Sequence, residues 1–124
     1  MGFVNAPALM QRMLPKVLGH KDGKVDVGLY ADRCRRMAEG LTALGFSVVP
    51  PKAGFFLFPG LPASMQDGEG GDVALTERMQ AERTIVVPGT AFGVPGHLRL
   101  SMAAPEEAVD GALEAFRRVC VTGP

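Results

Sequence analysis

Net charge is the first thing this sequence lacks. Its 13 basic and 13 acidic residues cancel over 124 positions, and no segment gathers Lys and Arg into a stripe. The electrostatic footprint of a nucleic-acid or anionic-membrane partner is therefore missing. Cysteine is scarce as well. Cys34 and Cys120 are too few and too far apart for a metal-ligand pattern; each falls on the apolar stripe of a predicted helix, where a buried free thiol is expected. The two histidines, His20 and His97, have no serine, cysteine or carboxylate at a spacing that marks a catalytic triad or metal site, so both read as surface polar residues. No apolar run approaches the roughly 20 residues of a membrane helix, and no charged N-terminal region leads into an apolar core. Neither a membrane span nor an export signal is read, and the cytoplasm is the expected location.

What remains is an ordinary globular composition, 47% hydrophobic and 21% charged, at a length that fits one domain and buries about two-thirds of its unfolded surface. Residues 1–24 differ from the rest. Leu9, Met10, Met13, Leu14, Val17 and Leu18 keep helical spacing over 8–18, with Pro7 suited to a first turn and Pro15 expected to kink or break the helix. This methionine-rich face belongs either on the chain's own core or against a surface the 124 residues do not contain.

After the polar turn HKDGKVD, the spacing predicts a helix over 26–44 with Val27, Tyr30, Cys34, Met37, Ala38, Leu41 and Leu44 on one stripe, and with Gly45 as its C-terminal cap. Arg33, Arg35, Arg36 and Glu39 lie off that stripe and read as a solvated face. FSVV (46–49) and FFLF (55–58) read as strands able to pair as a hairpin across the turn PPKAG. A long loop over 59–72 leads to a short helix over 73–82, narrow in its apolar stripe of Leu75 and Met79, with Asp72 as its N-cap. Strands are expected at 84–87 and 97–102, and a final helix begins at Pro105, Glu106 and Glu107 favouring its first turn while Val109, Ala112, Leu113, Phe116, Val119 and Cys120 turn inward. Adjacent strand pairs interrupted by helices predict an α+β fold: a small, mainly antiparallel sheet with helices packed on one face.

Two segments invite a chemical reading. DGEGGD offers glycine amides near a helix start, but its three carboxylates would repel a phosphate, no GlyLysSer or GlyLysThr follows, and the twelfth position of a calcium loop counted from Asp67 is Arg78; a solvated loop is expected. VVPGTAFGVPGHLRLSMA (86–103) is more specific. Pro88–Gly89 and Pro95–Gly96 each suit the centre of a type II turn, and they bracket ThrAlaPheGly. The connection is longer than a tight hairpin needs, and Phe92 stands among small residues like a wall. In the following strand Leu98, Leu100 and Met102 alternate with His97, Arg99 and Ser101, which turns Arg99 away from the helices. Periodicity leaves two readings open: an idle arginine on a solvent face, or a fork for a carboxylate or phosphate.

YADRCRRMAEGLTALGFSVVPPKAGFFLFPGLP, followed by VALTERMQAERTIVVPGTAFGVPGHLRLSMAAPEEAVDGALEAFRRV, resembles the C-terminal part of class I and II pyridoxal-phosphate-dependent aminotransferases, the aspartate aminotransferase superfamily. The shared order is an arginine-bearing helix, a strand, a ProXxxGlyXxxPhe turn, a helix, a ValProGly(Ser/Thr)XxxPheGly loop, an ArgXxxSer strand and a last helix, over roughly 26–121. NAPALMQR (5–12) resembles the family segment that begins the crossing from the large domain. The resemblance implies that Arg99 forms a two-pronged salt bridge with the α-carboxylate of the amino-acid or 2-oxo-acid substrate. Phe92 and Gly93 would stand beside the substrate opening, and Phe55 and Phe56 on the cleft side as pocket wall. It further implies pyridoxal phosphate in a full-length parent, held by a Schiff-base lysine, an aspartate and phosphate-binding residues of a large domain. A homodimeric parent is also implied.

None of those cofactor motifs is present: Lys16, Lys21, Lys24 and Lys52 lack the family's SerXxxXxxLys context. The expectation is therefore a segment leading from a missing large domain (1–24) followed by a small, closing domain (25–124), with no catalytic residue, no cofactor and no transaminase activity of its own. The other reading is a free-standing ligand-binding or interaction module with the same small-domain fold.

Overall fold

The computed structural model describes residues 6–66 and 71–121, so 67–70, the first four residues of DGEGGD, lie outside it. Four helices, α1 (Ala8–Gly19), α2 (Val27–Ala43), α3 (Gly71–Ala81) and α4 (Glu106–Val121), accompany three short strands, β1 (Phe56–Leu57), β2 (Val87–Pro88) and β3 (Leu98–Ser101). The sheet is antiparallel in the order β1-β3-β2, which makes it the expected α+β arrangement with β3 in the middle.

Helix α2 starts where Asp26 Oδ1 accepts a hydrogen bond from the Leu29 amide at 3.1 Å, an N-cap that satisfies one orphan donor. It stops at Gly45, whose φ of +87° admits the left-handed conformation. Bonds from Gly45 N to Thr42 O and from Phe46 N to Leu41 O close the end. The inward stripe of α2, Cys34, Met37 and Leu41, meets Val109, Leu113 and Phe116 of α4 and Leu75 and Met79 of α3 in one core. Leu57, Leu98, Leu100 and Met102 line the sheet side of that core. Phe116 is wholly buried and lies edge-on to Phe46 at 5.5 Å. Each such large apolar side chain contributes about 1.5–3 kcal/mol on burial.

The hairpin expected between 46–49 and 55–58 does not form. Residue Ser47 makes one isolated bridge, to Gly60, and Phe56–Leu57 pairs with β3 in the register Leu57↔Leu100. Pro50 and Pro51 cannot donate to a ladder, and pairing with β3 puts two core leucines side by side. The expected strand at 84–87 shortens to Val87–Pro88 because Thr84 N bonds back to Met79 O and Arg83 takes a φ of +57°. Thr84 thus belongs to the end of α3.

Three other expectations change. Helix α1 runs unbroken through Pro15, and none of its residues is buried, so its methionine face does not pack on the core. Gly89 has no positive φ; Pro88–Gly89 is not a type II turn but the start of a 3-10 turn over Gly89–Phe92 that Gly93 closes at φ +74°, whereas Gly96 at φ +75° fits the expected turn. The arginines of α2 are not simply solvated. Arg36 bridges to Glu106 and Asp110 on α4, Arg35 to Asp32 and Glu39, and Arg33 is half-buried with Nη1 3.4 Å from Met102 O.

Candidate functional site

Arg99 occupies the central strand, between inward-facing Leu98 and Leu100, so the pleat turns it to the other face. It is half-buried there. Its Cζ lies 5.0 Å from the centre of the Phe56 ring and 4.7 Å from that of Phe92. Two segments far apart in sequence supply these rings: Phe56 comes from β1, and Phe92 ends the 3-10 turn after β2. The aromatic surface continues on both sides. Phe55 contacts Phe56 at 4.5 Å and Tyr30 at 6.0 Å. Phe92 meets Phe58 edge-on at 6.2 Å, and Phe58 stacks on the His97 ring at 5.3 Å.

The arrangement sets the electrostatics of the arginine. Cation–π contact stabilises the guanidinium by about 0.5–1 kcal/mol per exposed ring, more when water is excluded. A guanidinium carries its N–H donors in a rigid plane, which suits a planar anion. No salt bridge of Arg99 to a carboxylate occurs among the described residues. The flanking rings leave Arg99 half-buried, and partial removal from water strengthens a charge-assisted bond formed there.

The loop that carries Phe92 is held from an unexpected direction. Asp72, expected as an N-cap, sits inside the first turn of α3 and is 1% exposed. Its Oδ2 accepts from the Thr90 amide at 2.7 Å and its Oδ1 from Thr90 Oγ1 at 3.0 Å. Burial by itself pushes this carboxyl up, but the hydrogen bonds from Thr90 and neighbouring amides outweigh it and hold the group below the ordinary carboxylate range. No local spacing in the sequence links positions 72 and 90; the pairing comes from α3 packing beside the loop.

The sequence-derived candidates Arg99, Phe92, Phe55 and Phe56 thus fall in one cluster, with Gly93 at the end of the turn beside Phe92. The cluster also takes in Phe58 and His97, which sequence reasoning left out. His97 is half-buried rather than a plain surface residue, with Nδ1 3.2 Å from Pro95 O; His20 is exposed and accepts from the Asp22 amide through Nδ1. Among the described residues no group of three His, Cys, Asp or Glu side chains could hold a metal ion. Cys34 is buried and Cys120 half-buried, both free. A groove of about 700 Å³ between α2 and residues 48–54 has Tyr30, Cys34, Ala38 and Pro51 among its walls, with Arg35, Glu39 and Lys52 also lining it, and Arg99 is not one of them. No described helix is long and apolar enough to cross a membrane.

Comparison with known proteins identifies the scaffold. The family model for aminotransferase class I and II matches residues 1–116. The aspartate/prephenate aminotransferase of Thermus thermophilus is 40% identical over 97 residues, covering 77% of this chain and 24% of that protein. The probable aspartate/prephenate aminotransferase of Aquifex aeolicus is 43% identical over 76 residues, covering 60% and 18%. Among solved structures, an aromatic aminotransferase from Pyrococcus horikoshii superposes with a TM-score of 0.76 at 28% identity, over 91% of this chain and 31% of that one. An aminotransferase from Eubacterium rectale gives 0.73 at 27% identity, over 98% and 28%. The chain therefore spans about a quarter or less of the length of these curated relatives. Their shared description as aminotransferases does not favour a free-standing, non-catalytic module. This chain belongs to the class I and II aminotransferase family.

Proposed function

We propose that this chain supplies the substrate-carboxylate side of an aminotransferase, as the small, C-terminal domain of an enzyme that moves an amino group between an amino acid and a 2-oxo acid. The observation that carries the reading is the Arg99 guanidinium, without a carboxylate partner among the described residues and lying against Phe56 and Phe92. A preset, partly desolvated fork binds a planar carboxylate through two parallel N–H donations. Each hydrogen bond to a charged group is worth about 1.5–3 kcal/mol. Phe55, Phe56, Phe92 and Gly93 form the wall beside it, and closure over the substrate excludes the water that would compete for the fork.

Pyridoxal phosphate is the cofactor the family implies, and these residues do not make a seat for it. A lysine that attacks a cofactor carbonyl must shed its proton, which burial promotes; Lys16, Lys21, Lys24 and Lys52 are all exposed. The cofactor chemistry would lie with residues beyond these 124.

The test is a chimera in which residues 26–121 replace the matching segment of the Thermus thermophilus enzyme. The chimera should transaminate, and Arg99→Lys, which keeps the charge but loses the planar fork, should lower its kcat/KM by at least about a hundredfold. Unchanged kinetics in the Arg99→Lys chimera would remove the assignment.

A further inference from the structure

We propose that Asp72 is a positioning residue for the Arg99 site: it clamps the loop over 89–97 so that the Phe92 ring lies on the guanidinium. The function of the clamp rests on the reading of Arg99 given above, while its mechanical part can be tested without it. An aspartate at a helix start ordinarily accepts from amides of its own helix, two or three residues on. Asp72 instead gives both carboxylate oxygens to Thr90, eighteen residues away.

The remaining bonds of the loop show why this matters. Gly93 N bonds to Thr90 O and Val94 N to Gly89 O, both within the loop, and Gly89 N bonds to His97 O at its base. Among the described residues, the hydrogen bonds that tie the stretch 90–94 to the body of the protein are the two to Asp72; further along the loop, Leu61 N bonds to Gly96 O at 2.9 Å. Thr90 is two positions before Phe92 in the same 3-10 turn, so fixing its amide and hydroxyl fixes the ring that stacks on Arg99 at 4.7 Å. A buried carboxylate that accepts two good hydrogen bonds is costly to disturb, which makes the clamp stiffer than a surface contact. The chain of cause runs from α3 through Asp72 and Thr90 to Phe92 and the arginine. Stiffness there stabilises the fork before substrate arrives, which lowers the ordering cost of binding.

The test uses the 124-residue chain first and the chimera second. In the chain, Asp72→Asn should speed hydrogen exchange of the Thr90 amide by about tenfold or more and weaken NMR contacts between Phe92 and Arg99 while sparing those between Phe56 and Arg99. Thr90→Val, which deletes only the hydroxyl donor, should do the same to a lesser degree, and Thr90→Ser should restore the parent behaviour. Thr90→Val also keeps the test alive if Asp72→Asn fails to fold. In the chimera, Thr90→Val and Asp72→Asn should raise KM for the amino donor several-fold with kcat little changed. Leu75→Ala, a buried change on the same helix, should lower stability and leave KM alone.

Intact Phe92–Arg99 contacts in both clamp variants would overturn the proposal. So would lost contacts with an unmoved KM in a chimera that Arg99→Lys cripples. If Arg99→Lys has no effect, the reading of the site fails instead, and the exchange and NMR data alone decide whether the clamp exists.

Discussion

Replacing Gly89 by alanine tests the geometry of the candidate site from its tightest point. A Cβ built on Gly89 meets Val94 O at 2.2 Å, His97 Cβ at 2.8 Å and His97 O at 2.9 Å. The two oxygens are main-chain atoms of the same loop. One belongs to residue 94, whose amide bonds to Gly89 O, and the other accepts the Gly89 amide at 2.7 Å, so shifting either strains a backbone hydrogen bond of the loop. Overpacking costs about 1–3 kcal/mol in general, and the absence of a flexible side chain to yield places Gly89→Ala at the upper end. For a domain of this length each kcal/mol shifts Tm by roughly 3–5 °C, so a fall of about 6–15 °C is expected in thermal unfolding followed by circular dichroism. Gly111 provides the opposite control. It lies within α4, where an added methyl group would meet nothing within 4 Å, so Gly111→Ala removes a poor helix former and should raise stability by about 0.5–1 kcal/mol. A Gly89→Ala protein that unfolds within about 2 °C of the parent would refute the close approach of 89 to 94 and 97, and with it the loop geometry that carries Phe92.

Two further outcomes follow from buried groups. Because the folded protein holds the Asp72 carboxyl below its ordinary range, its contribution to stability is complete above the unfolded value of about 3.9 and is lost as pH falls through the lower folded value. Urea midpoints measured from pH 5 downward should therefore drop below about pH 4, with a shallower slope in Asp72→Asn; equal slopes would contradict the hydrogen-bonded, ionised state. Burial pushes the Cys34 thiol up, so in a Cys120→Ser background a thiol reagent at pH 8 should modify Cys34 at least about tenfold more slowly in native than in unfolded protein. Equal rates would show that Cys34 is open to solvent.

Periodicity made α2 and α4 legible, because an apolar stripe at 3.6-residue spacing is written locally; Met37, Leu41, Val109, Leu113 and Phe116 are buried as that stripe requires. Alternation in 98–101 likewise revealed the inward leucines and the outward Arg99. Strand pairing was less legible. The segments 46–49 and 55–58 are adjacent in sequence and both apolar, yet the partner of Phe56–Leu57 is β3, since a ladder is chosen by which backbones can donate and which core residues come side by side.

Local patterns in the chain were enough to set the helices of the core, the face of β3 on which Arg99 stands, and, through the order of its motifs, the family. What surrounds that arginine was settled only by packing. Phe56 and Phe92 reach it from two different segments, and Asp72 reaches Thr90 from a helix. These are contacts between residues with no shared period or spacing, so they exist only once the layers have come together.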